Sequence, residues 1–323
     1  MCHCKRGEIS LRMLEQSKTL WAQAARRRPR LSGERVIESL IRVSGISAIV
    51  FVLLVFVFLA REGLPALVEV PLGNLLSERW YPTFGLFGIL PLISGSLLVT
   101  AGAILISLPL GIATAVFMRE LAPGWLRETL KPFIEILAGI PSVVLGFLGM
   151  IVVAPLLREF LQLPTGLSAL AGSLMLAYMA LPTIITVSDD AIDAVPKSYR
   201  DAALALGANH WQTIWRVVLP AARSGIIVAV MLGIGRAIGE TMAVLMVTGN
   251  AARMPTGPLA LFQPVRTMTA TIAAEMGEVA SGSTHYHVLF AVGIVLFLIT
   301  FLVNLLASAF VLRGTSRRDQ LLG

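Results

Sequence analysis

Long apolar runs separated by short polar segments dominate this chain. The runs occupy residues 43–60, 91–118, 132–157, 160–188, 224–249 and 286–312, and the fourth is predicted to begin its helix near Leu167. A helix needs about 20 apolar residues to cross a bilayer. Lipid cannot hydrogen-bond to the backbone, so spanning segments must be helices or closed barrels, and uninterrupted runs favour helices over alternating strands. The pattern predicts an all-α integral membrane protein with six transmembrane helices.

Composition supports a lipid environment. Of the 323 residues, 56% are hydrophobic and 14% are charged, whereas soluble domains have about 25% charged residues. The two cysteines, Cys2 and Cys4, flank His3 without a fourth metal ligand nearby. We interpret this cluster as a leader, with Met13 as an alternative start, and we predict no disulfide framework, no metal site and no cofactor.

The distribution of positive charge predicts the topology. Twenty of the 26 Lys and Arg residues lie in the N-terminal arm, the loops 119–131 and 197–223, and the C-terminal tail. Five lie in the intervening loops, and Arg236 lies inside an apolar run. Cytoplasmic loops carry an excess of Lys and Arg, so both termini are predicted to be cytoplasmic.

A polar loop between the fourth and fifth runs has a distinctive sequence. Its characteristic positions are Tyr199, Asp201, Ala202, Ala203, Gly207, Ala208, Leu219 and Pro220. We predict two short helices around Gly207, because glycine readily adopts the left-handed conformation of a tight reversal, with Pro220 ending the second helix. Trp211, Ile214 and Trp215 are predicted to form an apolar face.

This spacing resembles the coupling-loop signature of ABC importer permeases, which has an acidic residue, two alanines, a glycine and then Leu-Pro. Asp201 stands where many members have Glu. The resemblance implies a type I permease fold in which the loop docks as a helix into a cleft on the ATP-hydrolysing subunit. An ordinary amphipathic loop between two spans is the alternative.

A second resemblance narrows the family. Residues 236–244 read RAIGETMAV, and 137–144 and 87–91 also match the phosphate-specific permeases, with the PstC type favoured over the PstA type. The resemblance covers residues 84–312. It implies a bacterial inner-membrane phosphate importer whose partners are a PstA-type permease subunit, a dimer of PstB-type ATP-binding subunits and a periplasmic PstS-type phosphate-binding protein.

The apolar runs, the charge distribution and the resemblance together predict a domain organisation. Residues 1–42 are expected to form a basic cytoplasmic arm, 43–90 the first helix and a periplasmic loop, 91–312 the permease core, and 313–323 a cytoplasmic tail. The two longer external loops, 61–90 and 250–285, are suited to holding a partner or closing the outer mouth.

Arg236, Glu240 and Thr241 are the candidate residues of the substrate pathway. Ionisable groups within a span are costly and usually face a cavity. Arg236 and Glu240 are four residues apart, so on a continuous helix they share one face. The arginine could bind phosphate through its planar donor fork while the glutamate keeps binding weak; a structural ion pair is the alternative. Gly235 and Gly239 are expected to bring a neighbouring helix close.

Enzyme signatures are absent from the sequence, which lacks the phosphate-loop pattern GxxxxGK[ST], a nucleophile elbow and an HExxH motif. The chain is therefore predicted not to be an enzyme, and ATP must be hydrolysed by another chain. Alternative functions are a permease for another oxyanion, such as molybdate or sulfate, and a non-conducting membrane scaffold or sensor of phosphate supply. His285 and His287 are predicted to be exposed, and Asp189 to lie in interfacial water.

Overall fold

A computed structural model describes residues 32–257 and 259–322 of the chain. The Cys2, His3 and Cys4 cluster lies outside the described residues. The chain divides into two compact units, one ending at Val57 and one starting at Phe58. In the first unit, the described residues form most of helix α1 (Ser32–Gly63), whose apolar side chains from Val36 onward are exposed in nearly every direction. A helix that is hydrophobic all round is typical of a membrane span.

The second unit consists mainly of helices of unequal length. After α1 these are α2 (Pro65–Glu69), α3 (Leu72–Leu75), α4 (Leu90–Val116), α5 (Gly124–Gly139), α6 (Ser142–Leu148), α7 (Ala154–Leu161), α8 (Ala169–Asp193), α9 (Lys197–Ala205), α10 (His210–Thr213), α11 (Leu219–Gly239), α12 (Met242–Val247), α13 (Met268–Glu275) and α14 (Thr284–Leu322). π-helical turns occupy Phe117–Leu121, Gly149–Val153 and Ile214–Val218, and 3₁₀ turns occupy Pro82–Phe84 and Ala260–Phe262. Strands β1 (Trp80–Tyr81) and β2 (Leu86–Phe87) pair in an antiparallel hairpin.

Six helical segments within the described residues are long and apolar enough to cross a membrane. They are Val36–Glu69, Leu90–Leu121, Ser142–Leu161, Ala169–Asp193, His210–Gly239 and Thr284–Leu306. The prediction of an all-α protein with six spans is confirmed.

The boundaries of the third span were predicted wrongly. Residues 132–157 do not form one helix, because α5 ends at Gly139 and Ile140 and Pro141 are extended, with ψ angles of 127° and 136°. Proline disfavours the helical conformation of the residue before it and donates no backbone hydrogen bond. The third span therefore begins at Ser142 and continues through the π-helical turn to Leu161.

Helix α8 is the centre of the bundle and packs against α4 and α11. Small residues permit this close approach: a methyl group added at Gly111 of α4 would lie 2.6 Å from Ile184 of α8, and one added at Gly233 of α11 would lie 2.8 Å from the same side chain. Van der Waals contact between small-residue faces is a main source of helix association in lipid.

The two long loops, between α1 and α4 and between α12 and α14, join in one structure. Trp80 of β1 donates its indole N–H to Glu275 at 3.1 Å. Arg266 and His285 each place a nitrogen 2.8 Å from the same carboxylate. The predicted exposure of His285 and His287 is wrong, since their side chains are only 21% and 13% exposed. The loops therefore form a shared cap held around one carboxylate.

Candidate functional site

The fifth span is interrupted at the position of the candidate pathway residues. Helix α11 ends at Gly239, Glu240 is extended with φ −70° and ψ 131°, and α12 starts at Met242. The prediction of one continuous helix over residues 224–249 is therefore wrong, and so is the prediction that Arg236 and Glu240 share a helix face. Arg236 lies in the last turn of α11, whereas Glu240 lies in the helix break itself. Interrupted helices inside a membrane are tolerated where the backbone is buried in protein or lines a cavity.

Hydrogen bonds from both sides stabilise the break. Glu240 accepts a bond from the backbone N–H of Ala243 at 3.2 Å and so caps the start of α12. The Thr269 hydroxyl donates to the backbone oxygen of Glu240 at 2.9 Å. The Thr241 hydroxyl donates to the oxygen of Gly239 at 3.3 Å. These bonds satisfy polar groups that the missing helical turn would otherwise leave unpaired.

Arg236 lies in the last turn of α11 and is exposed, whereas Glu240 is half-buried. Among the residues that the structure describes, no ion pair joins the two side chains, and no hydrogen bond of the Arg236 guanidinium is present. A Cβ added at Gly235 or Gly239 would have no atom within 4 Å. The expectation that these glycines bring a helix of this chain close is therefore wrong, and this face of α11 is open.

A small cavity of about 10 Å³ lies on the other side of Glu240. It is lined by Ser96, Val99, Thr100, Leu176, Ala237, Ile238, Glu240, Val244, Thr267 and Thr269. Thr100 is only 8% exposed, and its hydroxyl has no hydrogen bond with any described residue. A volume of about 10–15 Å³ admits a single water. Sequence analysis missed these hydroxyl residues, because they come from separate segments and share no motif.

The polar loop between α8 and α11 reverses at Gly207 between helices α9 and α10, as the sequence predicted, but only the first of these helices is short, because α10 continues into α11. Gly207 has φ +85°. Its N–H bonds to Leu204 O at 2.9 Å and the N–H of Ala208 bonds to Ala203 O at 3.1 Å. Together these two bonds form a Schellman motif, which satisfies the last carbonyl groups of α9. Asn209 and Gln212 then cap α10 reciprocally.

Exposed side chains give this loop a contact surface. Ala203 is buried against the protein, whereas Asp201 and Ala202 are exposed. The large exposed apolar and aromatic side chains are Tyr199, Leu204, Leu206, Trp211 and Trp215. We call this set the docking face. Ile214 was predicted to belong to it, but only 1% of Ile214 is exposed, because it points into the protein.

The predicted role of Pro220 is also wrong. Helix α10 continues through the π-helical turn Ile214–Val218 into α11, and Pro220 lies in the first turn of α11. A proline within a helix normally clashes with the carbonyl four residues earlier. A π-helical turn has wider hydrogen-bond spacing, so the helix continues without that clash. Helix α11 therefore joins the loop to the helix break at Glu240. Its 21 residues span about 30 Å at 1.5 Å per residue.

Comparison with known proteins places this arrangement in a family. Residues 107–314 match the family described as binding-protein-dependent transport system inner membrane component. The probable ABC transporter permease protein YqgH of Bacillus subtilis (strain 168) is 44% identical over 255 residues, covering 77% of this chain and 82% of YqgH.

Two relatives carry a more specific name, phosphate transport system permease protein PstC. The Mesorhizobium japonicum protein is 40% identical over 262 residues, covering 75% of this chain and 79% of the relative. The Haemophilus influenzae protein is 33% identical over 287 residues, covering 80% and 88%.

Solved structures agree in fold. A chain of the bacterial alginate ABC transporter, in complex with an alginate pentasaccharide-bound periplasmic protein, aligns with a TM-score of 0.58 at 17% identity, covering 86% of this chain and 96% of that chain. A chain of the inward-facing MetNI methionine ABC transporter aligns with a TM-score of 0.54 at 19% identity, covering 69% and 95%. The predicted permease fold is confirmed. The chain belongs to the family of inner membrane components of binding-protein-dependent transport systems.

Proposed function

We propose that this chain is a permease subunit of an ATP-driven importer of inorganic phosphate. The observation that carries the proposal is the unpaired Arg236 at a helix break inside the fifth span. The PstC name of relatives that cover most of the chain supports phosphate as the transported ion.

Arg236 supplies the attraction for the anion. A guanidinium presents several N–H donors in a plane that matches the oxygen atoms of phosphate. The open side of α11, around Gly235 and Gly239, leaves this group accessible from outside the chain. We assign this side to the pathway and to the PstA-type permease subunit, which would complete the wall opposite Arg236.

Glu240 and Thr241 shape the same position. The carboxylate of Glu240 repels an anion and thereby keeps binding weak, which an ion pathway requires for release. Because the helix is interrupted, the extended backbone at Glu240 and the hydroxyl of Thr241 add polar groups to the segment that follows Arg236. In an unbroken helix the same backbone groups would be used in helical hydrogen bonds. Polar groups at interrupted helices are a common feature of transport sites.

ATP is hydrolysed by a separate cytoplasmic subunit, whose dimer binds the docking face. Exposed aromatic and aliphatic side chains in a cluster mark a protein contact surface. Asp201, Ala202 and Ala208 lie beside this face, and Leu219 and Pro220 connect it to α11. Closure of the ATPase dimer moves the loop, and α11 carries that movement to Arg236.

The remaining assignments follow from the charge distribution and the family. Both termini lie in the cytoplasm, with residues 1–42 as a basic arm and 313–323 as a tail, and residues 43–90 and 91–312 contribute the first helix with its loop and the permease core. The cap faces the periplasm, where a PstS-type phosphate-binding protein delivers the ion.

Uptake of radiolabelled phosphate by cells that produce the whole importer tests the proposal. Arg236→Gln and Glu240→Gln are expected to lower phosphate uptake while leaving the amount of protein in the membrane unchanged. Arg223→Gln is the matched control, because Arg223 is an exposed arginine in the first turns of the same helix. Normal uptake in both pathway variants would remove these residues from the pathway.

Competition by unlabelled anions identifies the ion that is transported. Excess unlabelled phosphate is expected to suppress uptake, whereas equal concentrations of sulfate or molybdate leave it unchanged. Suppression by sulfate or molybdate alone would replace phosphate with another oxyanion. Uptake that persists after deletion of the chain, with altered phosphate regulation, would assign it a sensing role instead.

A further inference from the structure

One partly buried guanidinium joins the loop that carries the docking face (residues 194–218, the docking loop) to two spans. Arg200 lies in α9 and donates to Glu120 from Nε at 3.1 Å and from Nη2 at 2.8 Å. Its Nη1 donates to Val195 O at 2.7 Å, and Nη2 also donates to Ile192 O at 3.0 Å. Both carbonyl groups lie at the end of α8, and Glu120 lies in the π-helical turn that ends the second span.

The surroundings of Arg200 and Glu120 restrict the movement of this ion pair. The side chains of Arg200 and Glu120 are 20% and 8% exposed. Charge-assisted hydrogen bonds are about twice as strong as neutral ones. The last carbonyl groups of a helix lack partners in their own helix, and a cation there also interacts favourably with the helix dipole. A single side chain thus holds α9, the end of α4 and the end of α8 in fixed positions.

The other ion pairs at this end of the bundle do not include the docking loop. The ion pairs Arg119–Asp193 and Arg127–Asp189 join the ends of the second span and α5 to α8, but neither includes a residue of α9 or α10. Among the described residues, Arg200 is the only side chain of α9 in an ion pair. Helix α8 is also the central helix of the bundle, so a movement of its end reaches the core directly.

We infer that Arg200 and Glu120 are positioning residues that transmit displacement of the docking loop to the second and fourth spans. This inference rests on the proposed docking of an ATPase subunit to the loop. It adds a route of transmission to the second span, which has no direct chain connection to the loop, whereas α11 follows the loop covalently and α8 is joined to α9 by residues 194–196. The bonds of Arg200 to Ile192 and Val195 additionally fix α9 against the end of the fourth span. The pair couples ATP hydrolysis to transport and contacts neither phosphate nor ATP.

The test uses the whole importer, purified and reconstituted in proteoliposomes with its binding protein. Phosphate transported per ATP hydrolysed is measured for Arg200→Gln, Glu120→Gln and the double variant. The double variant is decisive, because it leaves no unpaired charge, whereas removal of only one partner of a buried ion pair leaves such a charge and is strongly destabilising. Arg223→Gln is the control, as an exposed arginine without an ion pair among the described residues.

The double variant is expected to assemble with the ATPase subunit in normal amounts and to hydrolyse ATP, while phosphate transported per ATP falls about fivefold or more, the size of a typical coupling effect. Because both residues act in one link, the double variant should lose no more than the worse single variant. A purely structural role would instead lower assembly, ATP hydrolysis and transport together.

Three results would overturn the inference: a normal ratio of transport to hydrolysis in the double variant, failure of that variant to assemble, or an equal loss in Arg223→Gln. The proposed function fails separately, if the unmodified complex transports no phosphate or if the ATPase subunit does not bind the docking face. The Arg200 and Glu120 variants are therefore compared with an unmodified complex that has first been shown to transport phosphate.

Discussion

Replacement of Gly207 tests whether the geometry of the docking loop matters for its contact with the ATPase subunit. The residue has φ +85°, and a Cβ added there would meet no atom within 4 Å. A Cβ atom at this position therefore clashes with none of the described residues. The entire cost of a substitution comes from its own backbone, and the Schellman bonds of Leu204 and Ala208 depend on that backbone.

The expected magnitude follows from that conformation. A left-handed backbone costs a residue with a Cβ atom about 1–2 kcal/mol relative to glycine, which corresponds to about a 5- to 30-fold smaller population of the docking conformation. Asparagine adopts this conformation more readily than other residues. Valine, which is β-branched, adopts it least well. Affinity for the ATPase subunit is therefore expected to fall in the order Gly, Asn, Ala, Val.

Binding of the purified ATPase subunit to the permease in detergent or nanodiscs measures this order, and transport measured in parallel should follow it. Gly73→Ala is the control, because a Cβ there also meets no atom within 4 Å and its φ angle is not positive. Equal affinities for the Asn, Ala and Val variants at position 207 would refute the reasoning. So would a comparable loss in the control.

Three further substitutions test the architecture around the sites. Gly166→Ala places a methyl group against the backbone oxygen of Ala154; it is expected to destabilise the protein by about 1–3 kcal/mol, seen as a lower melting temperature in detergent. Glu275→Gln removes the shared carboxylate of the cap and should speed its proteolysis, whereas the exposed Glu278→Gln should not. Thr269→Val removes the hydroxyl bond to the helix break; it should cost about 1 kcal/mol of stability and slow phosphate uptake, and unchanged values of both would contradict a role in shaping the break.

Local features of the sequence were sufficient to predict the spans and the turn of the docking loop. Apolar runs of membrane length form helices because lipid leaves the backbone no other partners, whatever the neighbouring helices are. The left-handed turn at Gly207 is likewise a property of glycine itself, and its two bonds join residues only three and five positions apart. Motif spacing in the same loop was also sufficient for the family resemblance.

Other features required contacts between distant segments. The sequence Gly239-Glu240-Thr241 is compatible with a continuous helix, and the break exists where Thr269, 29 positions beyond Glu240, bonds to the interrupted backbone. His285 and Asp189 looked like exposed polar residues. Asp189 is only 3% exposed, because neighbouring helices cover it.

By itself, then, the sequence determined an all-α membrane permease with a left-handed glycine turn between the fourth and fifth spans and a charged position in the fifth span. The tertiary structure decided that Arg236 ends a helix and Glu240 lies in the break that follows it, and that Arg200 connects the docking loop to the ends of two other spans. The physical reason is the range of the interactions. Hydrophobic run length and backbone preferences are encoded locally, whereas the partner of a buried polar group is set by which helices pack together.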